Sequence, residues 1–177
     1  MSKYDKEKNA VNQLTIEQIL QPTLDAVFSP CRQYRYLLWR RWADDWDSNY
    51  AMFVGLNPST ADETNDDPTI RRCIKFAKVW GYSGLCMANI FAYRATDPKD
   101  MIAADEPIGV ENDRYLKESA AAASVVIAAW GNHGTYKNRH LQVEQIIPVL
   151  HCLKVTKAGM PSHPLYLPQT LKPVLFT

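Results

Sequence analysis

Apolar positions along this chain fall in short runs, each ended by a glycine, a proline or a polar residue. Residues 51–56 read Ala-Met-Phe-Val-Gly-Leu, residues 84–90 Gly-Leu-Cys-Met-Ala-Asn-Ile, and residues 124–129 Ser-Val-Val-Ile-Ala-Ala. Runs of this length without alternation predict strands buried on both faces. Residues 34–42, Tyr-Arg-Tyr-Leu-Leu-Trp-Arg-Arg-Trp, predict an aromatic strand. That strand is expected to pair antiparallel with the one at 51–56, after a turn at 43–49. Residues 152–156 predict a last strand, followed by a loop at 158–167 rich in Pro, Gly and His.

Helical signals lie between these runs. Thr15 and Gln18 form a capping box for a short helix at 15–24. Asp67-Pro68-Thr69 is a strong start, an acidic cap followed by proline in the first turn, for a helix running to Trp80 and closed by Gly81. Residues 108–123 and 138–149 predict two more helices, the first with Glu111, Asp113 and Arg114 outward. Asp97-Pro98 reads as part of a loop. Strands alternating with helices predict a three-layer α/β/α sandwich with a mainly parallel central sheet and an N-terminal antiparallel strand at its edge. The whole of 1–177 reads as one domain, with 1–12 a polar tail.

Composition narrows the partners. The chain is 46% hydrophobic and 22% charged with a net charge of +1, so any nucleic-acid contact must come from a local patch. Cys31, Cys73, Cys86 and Cys152 have no metal-ligand spacing and fit reduced thiols of a cytoplasmic protein. No apolar run approaches the ~20 residues that cross a bilayer, and the first 20 residues have no signal-peptide pattern.

The chemistry gathers at strand ends. In open α/β sheets, ligands bind just beyond the carboxyl ends of strands. Those ends deliver Asn57, Asn89, Trp130-Gly131-Asn132-His133 and the loop Met160-Pro161-Ser162-His163-Pro164. Asn57 and Asn89 would equally suit plain turns, because asparagine caps and turns are common.

Several rare words occur in order: Gly-Leu-Asn-Pro-Ser-Thr-Ala-Asp-Glu-Thr, Asp-Asp-Pro-Thr-Ile-Arg-Arg-Cys, Trp-Gly-Tyr, and Asn-Ile-Phe-Ala-Tyr-Arg-Ala-Thr-Asp-Pro. Over residues 34–176 the chain thereby resembles DUF1643, a bacterial family of unknown function. The strand ends also resemble, more distantly, the uracil-DNA glycosylase superfamily. Gly55-Leu56-Asn57-Pro58-Ser59 is similar to Gly-Ile-Asn-Pro-Gly of the mismatch-specific enzymes. Residues 84–89 are similar to the strand whose terminal Asn reads uracil, and residues 125–131 to an apolar strand ending Leu-Trp-Gly. Residues 160–164 fall where the superfamily carries His-Pro-Ser-Pro.

This resemblance implies a glycosylase-like sandwich, DNA or a nucleotide as partner, and excision of a pyrimidine base without metal or cofactor. Asn57 would hold the attacking water and His163 would assist; whether Ser162 or His133 takes that second role stays open. The substrate would be held by Gly55, Leu56, Pro58, Ser59, Asn89, Phe91, Tyr93, Arg94, Trp130, Gly131 and Ser162. Phe91 and Tyr93 are the candidates to stack on the base, although aromatics at alternate positions after a strand are more often core or edge packing. Ser59 stands where uracil-specific enzymes have a Tyr against C5 of the base, so C5-substituted pyrimidines are expected to fit. Arg71, Arg72, Arg94, Lys137, Arg139 and Lys157 are candidates for a phosphate rim. Two other readings use the same strand ends: a module that binds a modified base or nucleotide without cutting, and a nucleotide hydrolase with Mg²⁺ on Asp62, Glu63, Asp66 and Asp67. Those carboxylates also fit a solvated loop ending in a helix cap.

Overall fold

The computed structural model describes residues 26–45 and 49–177. The expected tail at 1–12 and helix at 15–24 lie outside the described residues. A seven-stranded mixed sheet runs through the molecule in the order β1-β2-β4-β3-β5-β6-β7. The strands are β1 (Ala26–Phe28), β2 (Arg35–Arg41), β3 (Tyr50–Gly55), β4 (Gly84–Asn89), β5 (Val125–Ala128), β6 (His151–Cys152) and β7 (Val174–Leu175). The helices are α1 (Pro68–Val79), α2 (Pro98–Ala103), α3 (Asn112–Ala122) and α4 (Arg139–Ile146).

The apolar runs became the sheet centre. Every residue of β3, β4 and β5 is buried, because helices cover both faces. Ala51, Phe53, Leu85 and Met87 pack against Ile70, Cys73, Phe76 and Ala77 of α1. Met52, Val54, Cys86 and Ala88 face the other way, toward Tyr115 and Leu116 of α3 and Val143 of α4. Alternate residues of one strand thus serve opposite layers, as the period of two requires.

The expected pairing of the aromatic strand with β3 is corrected. β2 runs antiparallel to β4, and β4 lies between it and β3. Trp42 N–H donates to the Ser83 carbonyl and Ser83 N–H to that of Asn49, so the start of β4 is threaded between the two strands' ends. β3, apolar on both faces, takes the centre; β2, ending in Arg40 and Arg41, takes the flank. Eight connecting residues easily span one intervening strand. The sheet is also less parallel than expected. β4, β3, β5 and β6 are mutually parallel, whereas β1/β2, β2/β4 and β6/β7 are antiparallel.

Three smaller boundaries differ. Asp97-Pro98 starts α2, with Asp97 accepting from Lys99 N–H at 2.9 Å. α3 begins at Asn112, after Gly109 turns the chain with φ 86°. The strand expected at 152–156 is only His151–Cys152, paired with β7 beyond the final loop. Numbered among themselves, the parallel strands run 2-1-3-4, and the winding reverses between β3 and β5. That is the switch point where such sheets open a crevice.

Candidate functional site

A cavity of about 380 Å³ opens at this switch point. It is bounded by the end of β3 (Gly55, Leu56, Asn57, Ser59), the end of β4 (Asn89), the end of β5 (Trp130, Gly131) and the late loop (His163). The start of α1, with Asp67, Thr69 and Ile70, forms another side.

Asn89 is set by β-sheet register. It pairs with Gly55 across the parallel β3/β4 ladder. A Cβ at position 55 would stand 2.8 Å from Met87 Cε and 2.9 Å from Asn89 Nδ2, so glycine is needed for this approach. The amide of Asn89 is held by Arg35, whose Nη2 donates to Oδ1 at 3.4 Å. A guanidinium only donates, so this bond fixes which end of the amide is oxygen. Nδ2 makes no hydrogen bond among the described residues and is left to the cavity. Behind Asn89, Asn112 Nδ2 donates to the Asn89 and Ile90 carbonyls at 2.9 and 3.1 Å. Arg139 Nε adds a bond to the Ile90 carbonyl at 2.8 Å.

Asn57 is oriented in the opposite sense. Its Nδ2 donates to the carbonyls of Pro58 at 3.2 Å and Ala95 at 2.8 Å. Both N–H groups are therefore spent, and the side chain can offer the cavity only its oxygen. Asp67 caps α1 by accepting from Ile70 N–H at 2.8 Å through Oδ1, as its Asp-Pro signature predicts. Its Oδ2 has no hydrogen-bond partner among the described residues.

Arg35 was not foreseen here. It is 2% exposed. Nη1 donates to the Ala61 carbonyl at 2.8 Å, while Nε has no partner. No carboxylate among the described residues ion-pairs with it. Burial lowers its pKa to about 10, opposed by the Asp67 carboxylate and reinforced by Arg94 and Arg40. A buried cation without a paired anion is costly in a fold.

His163 stands at the rim. Its Nδ1 accepts from Leu165 N–H at 3.4 Å, which places the proton of the neutral ring on Nε2. Desolvation lowers its pKa below the ordinary 6.5, with Asp67 acting in the other direction. Met160 does not line the cavity, so His163 is the late loop's contribution. Ser162 does not reach it either; its N–H joins the Lys154 carbonyl. His133 and Asn132 reach the rim from the segment after Trp130. The Trp130 indole lies in space that only glycine at 134 permits, since a Cβ there would be 2.1 Å from its Cδ1.

Other expected residues lie elsewhere. Phe91 is fully buried and packs its ring 5.8 Å from that of Tyr136, because the chain turns inward after β4. Tyr93 and Arg94 line an adjoining groove rather than the cavity itself. Pro58 is buried and does not line the cavity; its carbonyl accepts from Asn57 Nδ2 and Ala95 N–H. Among the described aromatic residues, Trp130 is the one that borders the cavity.

The acidic loop is occupied by the fold. Asp62 accepts from Thr64 and Asn65 N–H at 2.9 and 2.8 Å. Glu63 pairs with Arg32 and Asp66 with Arg40. The described residues contain no cluster of three or more His, Cys, Asp or Glu side chains placed to share a metal ion. None of the described helices is long and apolar enough to cross a membrane.

No curated protein and no solved structure matches the chain. The model of one family, described as a protein of unknown function (DUF1643), matches residues 35–165. That span holds β2 through the late loop, including every cavity residue named above, and the chain belongs to the DUF1643 family.

Proposed function

We propose that this protein hydrolyses an N-glycosidic bond, releasing a pyrimidine base from a nucleotide unit, on a fold of the uracil-DNA glycosylase kind. The observation that carries the reading is the single cavity at the β3/β5 switch point. It joins an oriented amide donor, Asn89 Nδ2, to two free acceptors, Asn57 Oδ1 and Asp67 Oδ2. The parallel order 2-1-3-4 and helices on both faces support the fold comparison. At about 380 Å³ the cavity is at the small end of ligand sites, suited to one nucleoside rather than a polymer.

The chemistry follows from the free ends. Asn57 Oδ1 holds a water by accepting one of its hydrogens. As the C1′–N bond breaks, its electron pair leaves on the base and the water oxygen bonds to C1′. The proton released by water passes to Asp67 Oδ2 and is later taken up by the departed base, giving sugar hydroxyl and neutral base. Asn89 Nδ2 and His163 Nε2 donate toward carbonyl oxygens that gather negative charge as the base leaves. A carboxylate is a far better proton acceptor than an amide, so Asp67 supplies what an Asn in the first motif lacks.

The test is base release from oligonucleotides and mononucleotides carrying uracil, thymine and larger C5 adducts, with wild type, Asn57→Ala and Asp67→Asn. Release by wild type, reduced at least ~100-fold in Asp67→Asn, is expected for loss of a general base. Saturable binding without release by wild type would instead establish a binding module, and release abolished by a chelator would establish the metal-dependent hydrolase.

A further inference from the structure

A second depression, about 420 Å³, adjoins the cavity and shares Ser59, Ala95 and Thr96 with it. A ligand that crosses the border these three residues form would reach both. Its walls are polar: the hydroxyls of Ser59, Thr60 and Thr96, and the side chains of Arg32 and Arg94.

The two arginines differ in electrostatic state. Arg32 is neutralised by a forked contact to Glu63 at 2.9 and 3.1 Å. Arg94 ion-pairs with no carboxylate among the described residues. Its guanidinium is nevertheless held in place. Nη1 donates to the Arg32 carbonyl at 3.0 Å, and the group lies 4.9 Å from the centroid of the Phe28 ring. Its Nε–H is buried without a partner. A surface arginine would normally spend entropy on becoming ordered when it binds; this one is ordered already. Arg35 is a second cation without an ion pair among the described residues and lines the adjoining cavity; the Asp67 and Asp62 carboxylates act on it at longer range. Two guanidiniums without ion pairs thus stand beside three hydroxyl donors, a setting that favours a tetrahedral oxyanion.

We propose that the groove binds the phosphate of the nucleotide unit whose base enters the cavity. Arg94 makes the ionic contact, and Ser59, Thr60 and Thr96 donate hydrogen bonds. The identity of the attached base rests on the glycosidase reading above; the phosphate site does not. The remaining rim candidates are spent or remote. Arg139 is buried against Asp113 and the Ile90 carbonyl, Arg71 and Arg72 bond the Asp66 and Leu167 carbonyls, and Lys137 and Lys157 line neither space.

Calorimetric titrations of the full chain at low salt test this, with four probes: inorganic phosphate, deoxyuridine, deoxyuridine 5′-monophosphate, and a short single-stranded oligonucleotide containing one deoxyuridine. A phosphate-bearing probe is expected to bind about tenfold tighter than deoxyuridine, the scale of one charge-assisted contact. Arg94→Gln is expected to bring that ratio close to one, with Arg94→Lys restoring part of it. If Arg94→Gln fails to fold, the wild-type ratio must instead collapse as salt rises. A preference for the monophosphate assigns the free nucleotide as ligand, and a preference for the oligonucleotide assigns a strand. Phosphate binding that depends on Arg94, with no binding of deoxyuridine, supports the groove and overturns the base reading. Equal affinity for deoxyuridine and its monophosphate, a ratio unmoved in Arg94→Gln, or no binding of any probe overturns the groove.

Discussion

Replacing Arg35 by Met should make the protein more stable and less able to bind. Held below its ordinary 12.5 at about 10, the buried guanidinium costs about 3 kcal/mol at neutral pH, at 1.36 kcal/mol per pKa unit. The sign follows from linkage: the folded chain holds this proton less tightly than the unfolded chain. The penalty is thus present at every pH below about 10 and lifts only above it. Methionine keeps an unbranched apolar stem and removes the charge. Against this gain stands the Ala61 carbonyl, which loses the 2.8 Å bond from Nη1, at about 1–2 kcal/mol for a buried orphan acceptor. The Asn89 contact at 3.4 Å is long and contributes little stability. The balance is a gain of about 1–2 kcal/mol, or roughly 2–8 °C in Tm for a domain of this size. Scanning calorimetry reads that change, and nucleotide titration reads the other half. With Asn89 free to flip, affinity should fall about tenfold, and Arg35→Lys should gain no stability. A variant that melts several degrees lower while binding as well as wild type would refute the reasoning, since Arg35 would then be an ordinary structural residue.

Gly55→Ala drives a methyl to 2.8–2.9 Å from Met87 Cε and Asn89 Nδ2; Met87 can yield, so stability should fall by only about 1–2 kcal/mol while nucleotide affinity, read by titration, falls more than tenfold. The His163 ring, followed by NMR, should titrate below 6.5, and Asp67→Asn should lower its pKa further by removing the opposing carboxylate. Because that pKa is depressed in the folded state, His163 contributes stability above about pH 6.5 that is lost as pH falls through its folded pKa. Ser59 borders both the cavity and the groove; wild type should accept C5-substituted pyrimidines at least as well as uracil. Ser59→Tyr should favour uracil over thymine by roughly tenfold, since one methyl is worth about 1–3 kcal/mol in a pocket; strict uracil preference in wild type counts against this wall.

The elements legible in the sequence were those whose whole signal is local. β3, β4 and β5 are uninterrupted apolar runs, and α1 opens on an Asp-Pro cap with Ile70, Cys73, Phe76 and Ala77 on one stripe. Strand order was not legible, because nothing within residues 34–42 says that β4, forty residues later, will take the place beside them. α2 carries the same Asp-Pro signal as α1 but spans six residues with one buried side chain, so it has no stripe to read. β1 and β7 are too short for a pattern. Asn57, Asn89 and His163 share one cavity because strand-end logic depends only on parallel direction. Arg35 was missed because an arginine at the start of an aromatic strand reads as an edge charge. Its burial comes from the loop at Ala61 folding over it, a contact 26 residues away in sequence. In the sequence Asp67 reads as a helix cap or one of four acidic-loop metal ligands, not as a lone carboxylate of the cavity, although a helix that follows β3 must begin at that strand's carboxyl edge.

Four polar side chains of the cavity each spend one end on the fold and leave the other without a hydrogen bond among the described residues. Asn57 spends both N–H groups on carbonyls and keeps its oxygen. Asn89 spends its oxygen on Arg35 and keeps Nδ2. Asp67 spends Oδ1 on the helix cap, and His163 spends Nδ1 on Leu165 N–H. One end of each side chain is fixed by a bond that any fold could use, and the other end then points where rotation is no longer free. Such prior orientation removes the reorganisation a ligand would otherwise have to drive. It also fixes a polarity: acceptors lie on the β3 and α1 side, donors on the β4 and late-loop side. A ligand that satisfies both must present a hydrogen-bond donor, such as an attacking water, to the first and carbonyl or anionic oxygens to the second. The proposed substrate, a pyrimidine nucleotide poised for hydrolysis at C1′, would meet that demand, whereas a purely basic or purely apolar ligand would leave one side of the cavity unsatisfied.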